Sequence, residues 1–150
     1  MKTSEARAAV IAEGMTWLGT DFHLGAAIKG VGVDCTSFVL ECYHVAGIAL
    51  SLGPMPVKKD WFMHAEDNRI IDRVREYCHE VEVAQSGDLV LFFIGKSWAH
   101  AAIVKEWPIV IQAKWYSGVQ MADVTQGDLK RLPRKIFSPW AHPDAVNWEA

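Results

Sequence analysis

Near Gly87 the hydrophobic pattern of the chain changes from helical to strand-like, and this change restricts the fold more than any other feature. Before it, residues 4–18 and 36–46 carry apolar side chains three and four positions apart, which predicts two amphipathic helices. Gly47 directly follows the second segment and suits a helix C-terminus. Residues 57–79 predict one or two further helices.

The second half of the chain has the pattern of a sheet. The runs "DLVLFFI", "HAAIVKEWPIVIQAKWY" and "GVQMADV" are rich in β-branched and aromatic residues and are separated by short turn signals. A short helix is expected at 125–132 and a last strand in "RKIFSPW". Helices followed by a mostly antiparallel sheet predict a single α+β domain over residues 1–150.

Composition and charge exclude several classes of partner. Hydrophobic residues make up 51% and charged residues 22%, as in globular domains. The net charge of −3 lacks the basic excess of nucleic-acid binding proteins, and no apolar run is long enough to span a bilayer, so we expect neither a nucleic acid nor a membrane as partner. The first residues carry no signal-peptide pattern. We therefore expect synthesis in the cytoplasm, and action elsewhere would need another route of delivery.

The cysteines raise the question of chemistry. Cys35, Cys42 and Cys78 are irregularly spaced, so no disulfide framework is predicted. They form no zinc-finger spacing with the histidines, and we expect neither a metal nor a cofactor. Cys35, in "GVGVDCTSF", stands where a loop becomes a helix. A catalytic thiol, a metal ligand and ordinary buried packing are the three interpretations of such a cysteine.

The position of Cys35 suits a nucleophile. Asp34 occupies the N-cap position, so Cys35 is predicted to be the first residue of the helix. A helix N-terminus favours the thiolate through its unpaired N–H groups and its dipole. The competing interpretation is a small buried apolar residue, because free cysteines are commonly buried.

A catalytic cysteine needs a base, and His100 opens an apolar strand. If 100–104 and 108–112 form a hairpin with a Lys105–Trp107 loop, His100 and Gln112 are direct cross-strand partners on one face. The Gln112 carbonyl can then accept from one ring N–H and leave the other ring nitrogen for a nucleophile. A polar pair on a solvated face is the alternative.

Three segments of the chain resemble the NlpC-type cell-wall cysteine peptidases. They are "GVDCTSF", "GDLVLFF" and "HAAIV…VIQA", and the resemblance spans roughly Met15 to Pro139. The segment "WLGTDFHLGAAIKGVGVDC" is similar to the small phage-encoded branch that is associated with tails. The resemblance implies a papain-like α+β fold, with the cysteine at a helix N-terminus packed on a mostly antiparallel sheet.

The same resemblance implies roles for individual residues. Cys35 matches the nucleophile, His100 the general base and Gln112 the third, orienting position, where relatives usually have histidine. The positions implied around the substrate are Asp34, Phe22 (often Tyr in relatives) and Thr36-Ser37 (commonly Ser-Gly). Two of the seven tryptophans, Trp98 and Trp115, flank the sheet positions and are expected to line the groove, although core packing is the alternative for each.

The implied reaction is hydrolysis of a peptide-stem bond in peptidoglycan, commonly the one between D-γ-glutamate and a diamino acid. Partners would then be the stem peptide and phage tail proteins, with delivery to the wall by a tail or by lysis. Two alternatives stay open. One is a structural or binding module of a tail tip with weak or no catalysis. The other is an amidase toxin that acts on the cell wall of competing bacteria.

Overall fold

The computed structural model describes residues 2–52, 63 and 66–140. These residues contain three α-helices, α1 (Thr3–Thr16), α2 (Cys35–His44) and α3 (Arg69–Tyr77). The helices predicted at 4–18 and 36–46 are therefore confirmed. Of the prediction for 57–79, the part at 69–77 is confirmed, while 57–62 and 64–65 lie outside the described residues. None of the described helices is long and apolar enough to cross a bilayer.

The strands confirm the α+β prediction. Six of the described strands form one antiparallel sheet in the order β3-β8-β4-β5-β6-β7. Their bounds are β3 (His79–Val81), β4 (Leu89–Ile94), β5 (Ser97–Glu106), β6 (Ile109–Lys114), β7 (Gly118–Asp123) and β8 (Arg134–Ser138). A small hairpin of β1 (Ala27–Ile28) and β2 (Gly32–Val33) precedes α2, and a 3-10 helix (Gly127–Arg131) precedes β8.

The sheet is buried on both faces, which explains why its central strands are almost continuously apolar. On one face, alternate residues of β5 such as Ala101 and Ile103 pack with the three α-helices in a first core cluster. On the other face, the intervening Ala102 and Val104 pack in a second cluster, which Leu129 of the 3-10 helix helps to cover. Because side chains alternate along a strand, each position of β5 belongs to one face or the other.

The loop between α1 and α2 is held against the edge strand β7. The N–H of Gly19 donates to the carbonyl of Val119 at 3.1 Å, and the N–H of Val119 donates to Thr20 O at 2.9 Å. Gly118 has a φ of +83°, and a Cβ there would lie 2.4 Å from Thr20 O. A glycine is required at this point both for the left-handed backbone and for the close approach of the loop.

An ion pair connects the N-terminal helix to the start of the sheet. Arg7 Nη1 lies 2.8 Å from Asp88 Oδ1, and Asp88 is 1% exposed. The same guanidinium donates to the carbonyl of Ser86 and lies 4.5 Å above the centre of a Trp140 ring. Nearby, the buried Tyr43 hydroxyl of α2 donates to the Gly87 carbonyl at 2.8 Å. Both helices are thereby fixed at the point where β4 enters the sheet.

Candidate active site

Asp34 caps the helix that carries Cys35, as the sequence predicts. Its Oδ1 accepts from the N–H of Ser37 at 2.8 Å and from the Thr36 hydroxyl at 3.1 Å. Its Oδ2 accepts from the N–H of Gly25 at 2.7 Å, and the side chain is fully buried. The carboxylate thus joins the preceding loop to the first turn of α2, and Cys35 is the first helical residue.

The Cys35 thiol lies against β5 at the point where β6 leaves it. The β5–β6 pairing begins at Ala102–Gln112, so the first residues of β5 have no register partner on β6. There the thiol donates to the carbonyl of Ala99 at an Sγ–O distance of 3.7 Å. The first side chain of α2 thus contacts the backbone of β5.

The surroundings of Cys35 disfavour the thiolate in this arrangement. Cys35 is 7% exposed, and burial raises its pKa to about 12, with the charge of Asp34 acting in the same direction. Hydrogen bonding from the backbone N–H groups of Ala101, Thr36 and Cys35 itself lowers the pKa by less. The helix N-terminus therefore acts in the expected direction, through the N–H groups of Thr36 and Cys35, but burial outweighs it.

His100 and Gln112 are in contact, as the hairpin argument predicts. His100 Nε2 lies 2.6 Å from Gln112 Oε1. A carbonyl oxygen can only accept, so Nε2 carries the ring proton and Nδ1 keeps its lone pair. Burial lowers the pKa of His100, the bond with Gln112 raises it, and the charge of Lys114 lowers it. The result is a neutral imidazole whose Nδ1 carries the lone pair that a general base needs.

The predicted register of this hairpin is wrong by two residues. Gln112 is the direct partner of Ala102, not of His100. β5 runs further than expected, to Glu106, whereas β6 begins one residue later than expected, at Ile109, and the register shifts between Val104 and Glu106. Because side chains repeat every two residues, the shift keeps His100 and Gln112 on one face and makes them diagonal neighbours.

The described contacts of Cys35 and His100 lie in different core clusters. His100 pairs with Phe92 of the second cluster, and their rings are 5.8 Å apart, whereas Cys35 belongs to the first cluster. Between them, Ala99 is an extra residue in β5, since Phe92 pairs with His100 and Phe93 with Trp98. Among the described hydrogen bonds the thiol has Ala99 O as its partner and not the ring of His100. The structure thus brings the two functional groups to consecutive residues of one strand without a direct bond.

His100 and Gln112 line a cavity of about 430 Å³ on the second face of the sheet. Trp115 is also in its wall, while Trp98 and Cys35 are not. Trp98 instead packs edge-on against Phe93 at 5.3 Å.

The remaining predicted positions lie around α2. Phe22 stacks on Trp115 with ring centres 5.6 Å apart, and so connects the loop before α2 to the cavity. Thr36 is buried with its hydroxyl on Asp34, and Ser37 is partly exposed. The direct roles of these residues with substrate stay predictions.

Two features of the site were not predicted. The Ala99 carbonyl has no sequence signal, because any residue supplies a carbonyl. Lys114 and Asp128, which form an ion pair of 3.0 Å at the same cavity, had a partial signal. Lys114 lies two positions beyond Gln112, so strand alternation already puts it on the Gln112 face. Within the described residues, no group of three or more His, Cys, Asp or Glu side chains is arranged to hold a metal ion.

The fold and this arrangement define a class: papain-like α+β domains with a cysteine at a helix N-terminus and a histidine on the adjoining sheet. Residues 19–134 match the NlpC/P60 family, and the chain belongs to that family. A search of curated protein sequences finds no match.

Solved structures agree on the fold. The NlpC/p60 domain of the peptidoglycan hydrolase SagA has 20% identity and a TM-score of 0.59, covering 87% of this chain and 97% of that one. The peptidoglycan hydrolase RipB of Mycobacterium tuberculosis has 14% identity and a TM-score of 0.66, over 91% of this chain and 65% of that one. RipD of the same organism, described as a non-catalytic NlpC/p60 domain protein adapted to peptidoglycan binding, has 17% identity and a TM-score of 0.58, over 89% and 96%.

Proposed function

We propose that this domain is a cysteine amidase that hydrolyses a peptide-stem bond of peptidoglycan, the one between D-γ-glutamate and a diamino acid. The observation that carries the proposal is the 2.6 Å bond between His100 Nε2 and Gln112 Oε1. It fixes the tautomer that a general base needs, one residue away from the carbonyl that holds the Cys35 thiol. The family and its peptidoglycan-hydrolysing relatives support the choice of substrate.

In the proposed reaction His100 Nδ1 takes the proton of the Cys35 thiol as the sulfur attacks the D-γ-glutamyl carbonyl. The C–N bond of the tetrahedral intermediate then breaks, and His100 returns the proton to the departing amine. A water molecule, deprotonated by His100, cleaves the thioester, which releases the acid and restores the thiol. Gln112 holds Nε2–H throughout, as an orienting residue without charge.

The protonation states of Cys35 and His100 before reaction determine how this cycle begins. With the thiol pKa raised to about 12 and the imidazole pKa below its usual value, both groups are neutral at pH 7. Proton transfer therefore accompanies attack, rather than preceding it in a stable ion pair. The thiol must also leave Ala99 O, a weak sulfur hydrogen bond that rotation about the Cys35 Cα–Cβ bond releases.

The test uses purified stem peptides and mass spectrometry to detect new amine ends. We expect the wild-type protein to release the diamino-acid fragment and Cys35→Ala to release none. Cys78→Ala is the matched control, because Cys78 is also a free, buried cysteine and has no place in the mechanism. Equal product from wild type and Cys35→Ala, or no product from a folded wild type, contradicts the proposal.

A second candidate is a peptidoglycan-binding domain without catalysis. The burial of Cys35 and its raised pKa favour this candidate, and RipD is a structural relative described in those terms. It predicts that wild type and Cys35→Ala both bind stem peptides and that neither cleaves them. The same samples therefore separate the two candidates by adding a binding measurement.

The proposed setting is delivery to the cell wall by a phage tail or by lysis, with delivery as a toxin as the alternative. The support for a tail is the similarity of the segment 17–35 to phage-encoded relatives. Neighbouring genes distinguish the settings, because tail genes accompany the first and an immunity gene accompanies a toxin.

A further inference from the structure

The cavity beside His100 carries charged groups that the mechanism does not use. Lys114, at the end of β6, and Asp128, in the 3-10 helix, both line it and pair with each other at 3.0 Å. Apolar walls between them come from Ile94, Trp115 and Leu132. The cavity thus combines one cation, two carboxylates and apolar walls, and of the two carboxylates Asp123 already accepts from the N–H and hydroxyl of Thr125.

Its position identifies which part of a substrate would enter it. In the proposed reaction Cys35 keeps the acyl fragment, and His100 gives its proton to the departing amine. The cavity is lined by His100 but not by Cys35. A group that occupies it therefore belongs to the amine-bearing fragment.

Lys114 is close enough to His100 for its charge to matter. Lys114 lies two residues beyond Gln112 on the same face of β6, and both residues line the cavity together with His100. Consistent with this placement, the positive charge of Lys114 lowers the pKa of His100. A carboxylate bound by Lys114 would thus belong to the same fragment as the amine that His100 protonates.

The ion pair itself is easily opened. The Lys114 side chain is 39% exposed and that of Asp128 is 80% exposed. Solvated pairs of this kind contribute little to stability. A ligand that carries both a carboxylate and an ammonium can pair its carboxylate with Lys114 and its ammonium with Asp128. Opening the ion pair then leaves neither side chain without a partner.

We propose that Lys114 and Asp128 are specificity residues that bind the zwitterionic end of the leaving diamino acid, with Lys114 on its carboxylate and Asp128 on its ammonium. The apolar walls hold the methylene chain between the reacting amine and that end. The inference rests on the proposed function, and it adds that a diamino acid with a terminal carboxylate is preferred over one with an amine alone.

Binding to the Cys35→Ala variant tests this without any cleavage. The probes are D-γ-glutamyl-meso-diaminopimelate and D-γ-glutamyl-L-lysine, which differ in the terminal carboxylate. By calorimetry we expect the first to bind about tenfold more tightly or better, the effect of one hydrogen bond between charged groups. Adding Lys114→Met should abolish this preference, and adding Asp128→Asn should weaken both peptides alike. Lys130→Met is the matched control, an exposed lysine of the same 3-10 helix outside the cavity.

Equal affinity for the two peptides, no binding of either, or a preference that survives Lys114→Met overturns the inference, provided that the variants melt like their parent. These results are distinct from a failure of the proposed function. If wild type hydrolyses both peptides at one rate, the amidase stands and the specificity inference fails. If Cys35→Ala binds selectively and wild type cleaves nothing, the inference stands and the amidase fails.

Discussion

Asp34 has two opposing effects on its neighbour. Its carboxylate organises the first turn of α2 and the loop at Gly25, which fixes where Cys35 lies. The same buried charge raises the pKa of the Cys35 thiol. Asp34 therefore positions Cys35 but disfavours ionisation of its thiol. Activation of the thiol then depends on His100.

The contacts of His100 predict how its imidazole titrates. Burial lowers its pKa, so an NMR titration should give a midpoint below the usual 6.5. Because protonated His100 cannot act as a base, kcat/KM should fall on the acid side around that same midpoint. Gln112→Leu should lower the midpoint further, since the bond with Gln112 raises the pKa, whereas Lys114→Met should raise it.

Gln126→Leu provides the control for the first substitution, because it removes an exposed amide from the same cavity. It should leave the midpoint in place. A wild-type midpoint at or above 6.5, or an upward shift in Gln112→Leu, would show that the imidazole is not in the environment described.

Some features of single site residues could be predicted from the sequence, and others could not. Asp34 as cap and the contact of His100 with Gln112 were predictable, because both follow from local rules of helix ends and strand alternation. The burial of Cys35 and the Ala99 carbonyl were not, since they depend on how α2 meets a strand 64 residues away. Burial decides the thiol pKa, so the electrostatics of the site could not be predicted either.

At the level of elements, β5 organises the site through its irregular start. The Cys35 thiol contacts the strand at the extra residue Ala99, before pairing with β6 begins at Ala102. Sequence predicted the hairpin but not its register, because a shift of two residues preserves every in–out assignment. Only the turn and the irregularity near Lys105 distinguish the two registers, and neither has a strong local signal.

The docking of the α1–α2 loop on β7 makes Gly118 a sensitive position. Gly118→Ala meets a left-handed backbone and places a Cβ 2.4 Å from Thr20 O. Strain alone costs roughly 1–2 kcal/mol, and with the clash we expect the free energy of unfolding to fall by about 3 kcal/mol or more. Urea denaturation measures the loss.

Gly47→Ala separates the two contributions. Gly47 has a φ of +78° but nothing within 4 Å of an added Cβ. In Gly47→Ala the free energy of unfolding should therefore fall only by the cost of backbone strain, roughly 1–2 kcal/mol. Equal losses in the two variants would mean that the loop does not press against β7 at Gly118.

Across the whole molecule, Arg7 joins segments that are far apart in sequence. Its guanidinium contacts Asp88 at the start of β4, Ser138 at the end of β8 and the ring of Trp140. Removing one partner of a buried pair leaves an uncompensated charge, so Arg7→Ala should reduce the free energy of unfolding at pH 7 by roughly 3–5 kcal/mol. Urea denaturation with global fluorescence checks this value.

The pH dependence of that loss identifies its cause. Burial already raises the pKa of Asp88 above its usual 3.8, and removing Arg7 removes a charge that lowers it. The loss of stability in Arg7→Ala should therefore shrink as the pH falls through the raised pKa of folded Asp88, and it should be smallest below 3.8, where Asp88 is protonated in the folded and the unfolded protein. Arg75→Ala, which removes an exposed arginine 3.9 Å from Glu80, should cost about 0–1 kcal/mol. A defect of Arg7→Ala that does not vary with pH would assign it to lost packing on Trp140.

The hydrogen bond between the Cys35 thiol and the carbonyl of Ala99 also determines which covalent inhibitors can succeed. Electrophiles that rely on a standing thiolate find a neutral, buried sulfur whose lone pairs lie among backbone groups. We expect an effective compound to bind non-covalently first and to react only once the thiol has left the Ala99 carbonyl. Selectivity for this domain over other cellular cysteines would accordingly come from non-covalent affinity, with the warhead kept weak.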